Sequence, residues 1–569
     1  MTSPRLLPPS LLTLFLLIAC SPAGTRKEPS PEPPPMGAMA EPGDAPGNDA
    51  PPVKPASPAE GLPTPALPAG IAPLDYAKIP GIPLLDAPLA DLKAAVPLLG
   101  QETWYGVYVM NQKVGFMSTA WSVEGTDAAP RLVQKQQFRM EMNVLGGKKV
   151  LDLRTTATYA GAGEGALLSH VTVQTADHVK RTVTLERQPD GSHRATVESV
   201  AAGQTPAPVQ TYTPDRPLGP VAESDLAFAW KLSRGPSAWN AERAWRARKF
   251  MSTEVTVAHE VGRVVDRVER LVDGKVRPFL VVETISDNPK SRILSVFNEL
   301  GVLELSRVGS IEMRHESKEK AAAGMGGVLD TGFSAIIALP LQGSPATSIR
   351  KLVLSLDGPF PSPEFLNTLR YRLETVDQKR RLTLVVDDLE GLVKPDPAKL
   401  PAEVLRYLKA EPNVESDDPG LVALAKQASR GAKTPAEVLR AVTGFVGDYV
   451  EDTLRSDVES ARMVSQLRKG DCTEHSILAT ALFRALGYPA RQVGGVGHVV
   501  LRGDKDTLEG LGYHAWTQVW AGRWVDVDPT WRQAPADVTH VLMGATDDME
   551  WLESLGTLKI TVLQKELKP

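Results

Sequence analysis

Cysteine is scarce in this chain of 569 residues, which contains 2 cysteines, Cys20 and Cys472. The sequence also lacks a cluster of cysteine and histidine residues, a glycine-rich phosphate loop and an EF-hand pattern, so we expect no metal and no nucleotide cofactor. Charge of one sign does not dominate either, because 63 lysine and arginine residues stand against 68 aspartate and glutamate residues. Without a long basic stretch, the sequence does not indicate a nucleic-acid partner.

The N-terminus lacks an apolar run long enough for a membrane-spanning helix, because the run from Leu11 to Ile18 falls short of the ~20 residues required. Arg5 precedes this run and a short segment ending in Cys20 follows it, a pattern typical of an export signal over residues 1–20. That segment, Leu-Ile-Ala-Cys, resembles the lipobox of bacterial lipoproteins. The resemblance implies lipidation of Cys20 and attachment to a membrane through the lipid. Ser21, in place of aspartate, points to the outer membrane, facing the periplasm. A plain signal peptide or a short transmembrane anchor is the alternative.

If Cys20 is lipidated, no second cysteine remains in the mature chain to form a disulfide with Cys472. We therefore expect Cys472 to carry a thiol. A reactive thiol in an oxidising compartment is a liability unless function requires it. A buried, inert cysteine is the alternative interpretation.

Composition and periodicity divide the chain into segments, and its length suggests about three folded units at ~150 residues each. Residues 21–75 are rich in proline and alanine, cannot bury a core and are predicted to be a disordered linker. Residues 96–315 show two-residue alternation, with regular structure from near Glu102. They predict a β-rich domain built on an antiparallel, curved sheet or half-barrel. Its turn signals are Asn111-Gln112, Gly146-Gly147, Asp190-Gly191 and Asp273-Gly274.

Residues 326–400 predict a β segment that bridges the two larger units, with strands in ATSIRKLVLSLDG and RRLTLVVDDLEG. From residue 402 onward the pattern changes to helix. Thr434, Pro435 and Glu437 combine an N-cap, a first-turn proline and a capping box, which together predict a helix start. The chain ends with mixed structure and a last strand in GTLKITVLQ. The whole chain is therefore predicted to be α+β.

The segment from Gly470 to Arg491 predicts a strongly amphipathic helix with Cys472 in its first turn. Asp471 can cap this helix, with Glu474 three residues further on, and a Gly-Tyr-Pro sequence ends it. The unpaired N–H groups and the positive end of the helix dipole favour a thiolate over a thiol at such a position. The spacing therefore predicts a nucleophilic cysteine.

Residues 513–531 alternate between two faces and predict a β-hairpin. A three-residue loop at Ala521–Arg523 would make His514 and Asp528 diagonal neighbours on one face, with backbones roughly 7–8 Å apart. A two-residue turn would place them on opposite faces. Asp526 shares a strand face with Asp528 and is the alternative partner of the histidine.

Three separated motifs, in the order Gly-Asp-Cys, His-Ala-Trp and Trp-x-x-x-Asp-Pro-Thr, resemble the bacterial transglutaminase-like superfamily over about residues 417–541. The ending Leu-Gly-Tyr-Pro-Ala-Arg of the cysteine helix adds to the resemblance. The resemblance implies that residues 402–569 are a transglutaminase-like domain with a papain-like α+β core, preceded by the antiparallel β-rich region. It also implies a catalytic triad of Cys472, His514 and Asp528, and a peptide or protein substrate.

The implied chemistry is attack of a Cys472 thiolate on an amide carbonyl, with His514 transferring the proton and Asp528 orienting its ring, through an acyl-enzyme. Water outnumbers any amine acceptor, so we expect a thiol hydrolase or protease before a cross-linking transamidase. A non-catalytic binding or scaffold lipoprotein is the alternative from a different class. The candidate oxyanion donors are the backbone N–H of Cys472 and the side chain of Gln466, six residues earlier.

The other polar residues near these motifs are expected to stabilise the fold. His475 should face neighbouring structure, and His498 should lie on a strand surface or line the cleft. His540 and Arg491 are predicted to be structural.

Overall fold

The structure is a computed structural model. It describes residues 61–569 apart from 145–146, 177–178, 202–208, 235–243, 254, 288–289, 309, 325–336, 340, 342–344, 361–368, 378, 454–459, 503–506, 546–553 and 555–556. The export signal, Cys20 and most of the predicted linker lie outside the described residues, as does Gly146 in one predicted turn. Within the described residues, no helix is long and apolar enough to cross a membrane.

The largest element of the fold is an antiparallel sheet that contains 14 strands within the described residues. Its strands are β1 (Thr103–Val109), β2 (Gln112–Thr126), β3 (Ala129–Val144), β4 (Gly147–Ala160), β5 (Leu167–Ala176), β6 (Val179–Arg187), β7 (His193–Ala201), β8 (Gln210–Tyr212), β9 (Ala244–Met251), β10 (Thr256–Val272), β11 (Lys275–Asp287), β12 (Lys290–Asn298), β13 (Leu303–Val308) and β14 (Ile311–Glu316). Two meanders, β1 to β8 and β9 to β14, meet where β1 pairs with β14 and Val107 lies opposite Met313. The prediction of a curved antiparallel sheet is confirmed.

Local sequence explains why these strands form and turn where they do. In β6, alternate residues are buried, namely Val179, Arg181, Val183 and Leu185, while the residues between them are more exposed, which is the two-residue period of a strand with one covered face. Between β1 and β2 the chain turns through Met110 and Asn111, at φ 48° and 65°. Two successive residues with positive φ form a tight turn whose twist matches that of the two hairpin strands. The turn is centred one residue before the predicted position.

Two helices, α1 (Leu89–Leu99) and α2 (Asp225–Ser233), pack on this sheet, where Leu92 and Leu226 share a buried cluster with Trp121. A short helix, α3 (Lys318–Ala322), follows β14. Regular structure begins before the predicted position, with a 3-10 helix at Tyr76–Gly81.

Residues 61–75, which the sequence assigns to the linker, lie along the large sheet. The Gly61 N–H donates to the Leu271 carbonyl at 3.0 Å, and the Leu74 N–H donates to Glu283 Oε1 at 2.9 Å. The sheet therefore satisfies backbone donors that a disordered segment would leave to water.

A second, smaller sheet is built from the bridging segment and the end of the chain. Its strands are β16 (Ile349–Asp357), β17 (Tyr371–Val376), β18 (Lys379–Val385) and β25 (Lys559–Leu567), in the order β17-β18-β16-β25. The predicted strands of the bridging segment and the predicted last strand are all present. Leu352 and Leu382 of this sheet share a buried cluster with Trp516, so the small sheet packs against the C-terminal core.

Among the residues that the structure describes, the C-terminal core combines helices with a five-stranded sheet. The helices are α4 (Ala402–Leu405), α5 (Pro419–Ala428), α6 (Pro435–Tyr449), α7 (Ala461–Leu467) and α8 (Cys472–Ala485). The strands are β15 (Ile337–Ala338), β21 (Ala490–Arg502), β22 (Thr507–Trp520), β23 (Trp524–Val527) and β24 (Val541–Ala545), with a short parallel pair β19 (Glu451–Asp452) and β20 (Lys469–Gly470) beside them. The sheet order is β15-β22-β21-β24, and β23 pairs with β22. The predicted capping box of Thr434 and Glu437 is confirmed at the start of α6.

Helix α8 lies at the centre of this core, and every residue from Cys472 to Arg484 is buried. The prediction of a strongly amphipathic helix is therefore wrong, because α5, α6 and α7 cover the side that faces away from β21 and β22. The polar side chains of α8 find partners inside the core. The Thr480 and Thr517 hydroxyls are 3.5 Å apart, and Arg484 donates to the Ala490 carbonyl at 2.8 Å.

Candidate active site

A capping box holds Cys472 in the first turn of α8. The Asp471 carboxylate accepts the Thr473 N–H at 2.9 Å, and the Glu474 carboxylate accepts the Asp471 N–H at 2.8 Å, so the predicted cap is confirmed. Gly470 is required before this cap, because a Cβ there would lie 2.2 Å from the Glu474 Cβ. Cys472 thus occupies the first helical position, where the helix dipole favours a thiolate over a thiol.

The sulfur of Cys472 lies against strand β22, where it accepts the Ala515 N–H at 3.4 Å. Ala515 follows His514 directly, so α8 and β22 bring two of the predicted site residues to the same place. The expectation of a thiol at Cys472 stays a prediction. That expectation depended on lipidation of Cys20, which lies outside the described residues. Action of Cys472 as a nucleophile therefore requires the reduced chain.

Strands β22 and β23 form the predicted hairpin with a three-residue loop. Trp520 pairs with Trp524, and the Ala521 N–H donates to the Arg523 carbonyl at 2.9 Å. Gly522 adopts φ +90° within the loop, a conformation that a residue with a side chain rarely adopts. The predicted register is confirmed, and with it the placement of the two catalytic candidates of the hairpin on one face.

The carboxylate of Asp528 is held on both of its oxygens. Oδ2 accepts His514 Nε2 at 2.9 Å, whereas Oδ1 accepts the N–H groups of Thr530 at 2.8 Å and Trp531 at 3.2 Å. Burial alone would raise the pKa of Asp528, but the charges and hydrogen bonds of His514 and His540 outweigh burial and lower the pKa. Asp528 therefore stays ionised, and its contact with Nε2 restrains the His514 ring.

His540, for which the sequence predicts only a structural role, has its ring on the Asp528 carboxylate. Its Nε2 is 2.9 Å from Asp528 Oδ2, the oxygen that also binds His514, and its Nδ1 is 3.3 Å from Asp537 Oδ1. Burial alone would lower the pKa of His540, but hydrogen bonds to the two carboxylates raise it to about 9. Burial has the opposite effect on a carboxyl group and alone would raise the pKa of Asp537, but hydrogen bonds from His540 and Thr539 lower that pKa. His540 is therefore positively charged between two carboxylates at neutral pH.

An aromatic ring covers the imidazole of His514. The Trp531 indole stacks on it with ring centroids 4.1 Å apart and planes 8° from parallel. The glycines of β21 make room for these rings, because a Cβ at Gly497 would lie 2.7 Å from Trp531 and a Cβ at Gly495 would lie 2.8 Å from Trp516. The stacked indole restrains the plane of the His514 ring. The Gly-Gly-Val-Gly run and the tryptophan after Asp-Pro-Thr were visible in the sequence, but their contact was not predicted.

Asp526, two residues before Asp528, belongs to a separate network. Its Oδ1 accepts Gln518 Nε2 at 2.7 Å, and its Oδ2 accepts the Tyr371 hydroxyl at 2.5 Å. Arg370 Nε lies 3.6 Å from the same Oδ2. Asp526 as the alternative partner of His514 is therefore wrong, because its oxygens face Gln518 and the small sheet.

Two further candidates lie on either side of the cap. Gln466 is exposed on α7, whereas Cys472 is buried, and a role for Gln466 as oxyanion donor stays a prediction. His475 is buried, with Nδ1 2.8 Å from the Asp471 carbonyl and Nε2 3.2 Å from the Val450 carbonyl. As expected, His475 faces neighbouring structure.

The remaining candidates stabilise strands β21 and β22. His498 Nε2 lies 3.0 Å from Glu509 Oε1 on the adjacent strand. Arg491 donates to Gln518 Oε1 at 2.9 Å and lies over the Trp524 ring at 4.3 Å. The Arg491 contacts agree with a structural role, whereas the His498 side chain is only 9% exposed and does not lie on a strand surface.

His514, Asp528 and His540 present ligand atoms within 4.8 Å of one another, a set that by residue type could hold a metal ion. Both imidazole Nε2–H groups, however, point at the same Asp528 oxygen from 2.9 Å. Metal ligands direct their lone pairs at a common central point, and here the carboxylate oxygen itself occupies that point. The arrangement fits two imidazole N–H groups that donate to one carboxylate oxygen.

Comparison with known proteins agrees with the motif order. Residues 422–529 match the family model described as "Transglutaminase-like superfamily". A search of curated proteins finds no match. Among solved structures, one described as a "Putative Cysteine Protease" from Cytophaga hutchinsonii is 16% identical with a TM-score of 0.27, covering 39% of this chain and 90% of that chain.

Two other solved structures are similarly distant. The periplasmic domain of TgpA from Pseudomonas aeruginosa, bound to ethylmercury, is 20% identical with a TM-score of 0.23, covering 36% of this chain and 93% of that chain. A structure described as a "putative protease" from Parabacteroides distasonis is 11% identical with a TM-score of 0.17, covering 72% of this chain and 70% of that chain. The family match and the motifs together identify the C-terminal part of the chain as a domain of the transglutaminase-like superfamily, following a large curved antiparallel sheet.

Proposed function

We propose that this chain is a cysteine enzyme of the transglutaminase-like type that acts on peptide amide bonds through Cys472, His514 and Asp528. One observation carries the proposal: His514 is bound to Asp528 at 2.9 Å, and the residue after His514 contacts the Cys472 sulfur. The family match at residues 422–529 supports it independently.

In the reduced chain, the helix dipole and the His514 imidazolium favour the Cys472 thiolate. Because Nε2 of His514 is bound to Asp528, Nδ1 is the ring nitrogen that exchanges a proton with the sulfur. The thiolate adds to the amide carbonyl, and the tetrahedral intermediate collapses as Nδ1–H protonates the leaving amine. The C–N bond breaks and a thioester on Cys472 remains. Water, deprotonated by Nδ1, then attacks the thioester, releases a carboxylic acid and restores the ion pair.

We expect hydrolysis because water is in vast excess over any amine acceptor. Release to an amine would make the same acyl-enzyme a cross-linking transamidase. Anchoring through a lipid on Cys20 at the outer membrane, facing the periplasm, would present the site to periplasmic peptides and proteins.

A second candidate function is a non-catalytic binding or scaffold protein. The observation that favours it is burial, because Cys472 is 0% exposed and His514 is 3% exposed in this structure. A substrate must displace the residues that cover the sulfur before any reaction occurs.

Trapping the thioester tests the proposal. The reduced full chain is incubated with pools of peptides and quenched in acid, and the mass of the Cys472 peptide is measured. We expect an added acyl group that is absent from His514→Ala. His315→Ala is the matched control, because His315 Nδ1 is also close to a carboxylate, at 3.1 Å from Glu304 Oε2, but lies in the large sheet.

The same experiment separates the alternatives. Addition of glycine methyl ester converts the thioester into an amide if the chain is a transamidase, whereas a hydrolase releases mainly the free acid. A folded, reduced chain that acquires no acyl group from any pool would contradict the enzyme and favour the scaffold.

A further inference from the structure

The segment that follows the catalytic hairpin brings a second imidazole to the carboxylate of the triad. We propose that His540 is a positioning residue, which as an imidazolium holds Asp528 against His514 and limits how tightly His514 retains its proton. This role deepens the proposed function and rests on it. The sequence motifs do not include His540.

The hydrogen-bond geometry requires a charged ring at His540. Its Nε2 is 2.9 Å from Asp528 Oδ2, and its Nδ1 is 3.2 Å from the Asp537 carbonyl and 3.3 Å from Asp537 Oδ1. Carbonyl and ionised carboxylate oxygens only accept, so both ring nitrogens must donate, and an imidazole with two N–H groups is a cation. The lowered pKa values of Asp528 and Asp537 agree with this assignment, since both carboxylates face a positive charge.

The small sheet holds the backbone of this segment in place. The Tyr371 hydroxyl, at the start of β17, lies 3.0 Å from the His540 carbonyl oxygen. The guanidinium of Arg370 donates to the carbonyls of Ala536 and Asp537. These contacts hold the backbone around His540, so its ring has little freedom to leave the carboxylate.

The charges around the ring determine its effect. Asp528 after β23 and Asp537 in its own segment face His540 with negative charge. His514 on β22, with its ring centroid 5.7 Å away, becomes positive when it is protonated. Arg370, before β17, contacts the segment through backbone carbonyls and adds a further positive charge. Two imidazoliums that share one carboxylate oxygen repel each other, so His540 makes His514 a weaker base than Asp528 alone would make it.

This effect suits a general acid. A histidine held only by a buried carboxylate would keep its proton tightly and transfer it slowly to the leaving amine. His540 keeps the carboxylate oriented and satisfied while it offsets part of its charge.

Histidine-selective NMR tests this inference without any catalytic step. The full chain carrying Cys472→Ser is titrated, so that neither a thiolate nor a disulfide at this position contributes. We expect the His540 ring to remain charged at pH 7.5, and replacement His540→Gln, which keeps an N–H donor but removes the charge, to raise the pKa of His514 by about one unit. The matched control His315→Gln should leave the pKa of His514 unchanged.

Each outcome decides the role. A neutral His540 at pH 7.5, or a His514 pKa that is the same with and without the His540 charge, would overturn it. The first readout needs no substitution at His540, so misfolding of His540→Gln would not leave the inference untested.

A second readout separates failure of this inference from failure of the proposed function. In the reduced chain, alkylation of Cys472 by iodoacetamide is followed against pH, with peptide mass analysis to distinguish it from Cys20. We expect His540→Gln to shift the alkaline limb upward by about one pH unit, because it reports loss of the His514 proton. If alkylation in the unsubstituted chain is no faster than that of free cysteine, the proposed function fails, whereas the NMR titration still decides the role of His540.

Discussion

Asp526 and Asp528 lie two residues apart at the end of one hairpin and are equally buried, at 2% and 0% exposure, yet their surroundings differ in kind. Asp528 binds two imidazoles, which are side chains that can carry a positive charge. Asp526 binds the Gln518 amide and the Tyr371 hydroxyl, which are uncharged at neutral pH. Residue type and burial therefore do not distinguish a proton-handling carboxylate from a structural one. The chemistry of the partners does.

The largest expected effect comes from replacing each carboxylate with an amide. Asp528→Asn removes the charge that stabilises the His514 imidazolium and should lower the rate of thioester formation roughly 10³- to 10⁴-fold. Asp526→Asn should change the rate little but lower the free energy of unfolding by about 1–3 kcal/mol, because a buried hydrogen-bond network loses a partner. Acylation rates and chemical denaturation of both variants check this contrast. Equal loss of rate in the two variants would break the comparison.

A smaller effect is expected from the aromatic rings beside each carboxylate. Trp531 stacks on His514, whereas Trp524 packs against Trp520 with centroids 5.4 Å apart and under Arg491. Trp531→Leu removes a cation–π contact of roughly 0.5–2 kcal/mol, so the rate should fall by about two- to thirtyfold. Trp524→Leu should reduce thermal stability without a comparable change in rate. If both variants slowed acylation alike, the stacking on His514 would have no special role.

The smallest effect concerns stability against pH. The pKa of His540 is raised to about 9 from 6.5, so the stability that His540 contributes is fully present below about pH 6.5 and is lost as pH rises through 9. The pKa of Asp528 is lowered from 3.8, so its contribution is present above about pH 4 and is lost as pH falls further. The thermal stability of the unsubstituted chain should therefore fall between about pH 6.5 and 9, and that of His540→Gln should fall less. An identical decline in both would contradict the charge on His540.

Local features of the site could be predicted from the sequence. The cap before Cys472 depends on residues within one helical turn, and the hairpin register depends on the length of one loop, so both were accessible without tertiary information. The long alternating strands also predicted the antiparallel sheet. Each of these signals acts over a few residues of chain.

The features that were missed depend on contacts between distant segments. His540 precedes β24, and it reaches Asp528 because β24 pairs with β21, where Val496 lies opposite Val541. No period in the sequence reports that pairing. The polar residues of α8 suggested a solvent face, but α5, α6 and α7 bury them. The tertiary structure overrides the helical pattern there.

The reactivity of Cys472 tests the central claim most directly. In the reduced full chain, the rate of iodoacetamide modification at Cys472 is measured at pH 6, where an ordinary thiol is almost fully protonated. We predict modification well above the rate of free cysteine, lost in His514→Ala and strongly reduced in Asp528→Asn but retained in Asp526→Asn. A Cys472 that reacts no faster than free cysteine in the folded, reduced chain, whatever stands at position 514, would contradict the proposed active site.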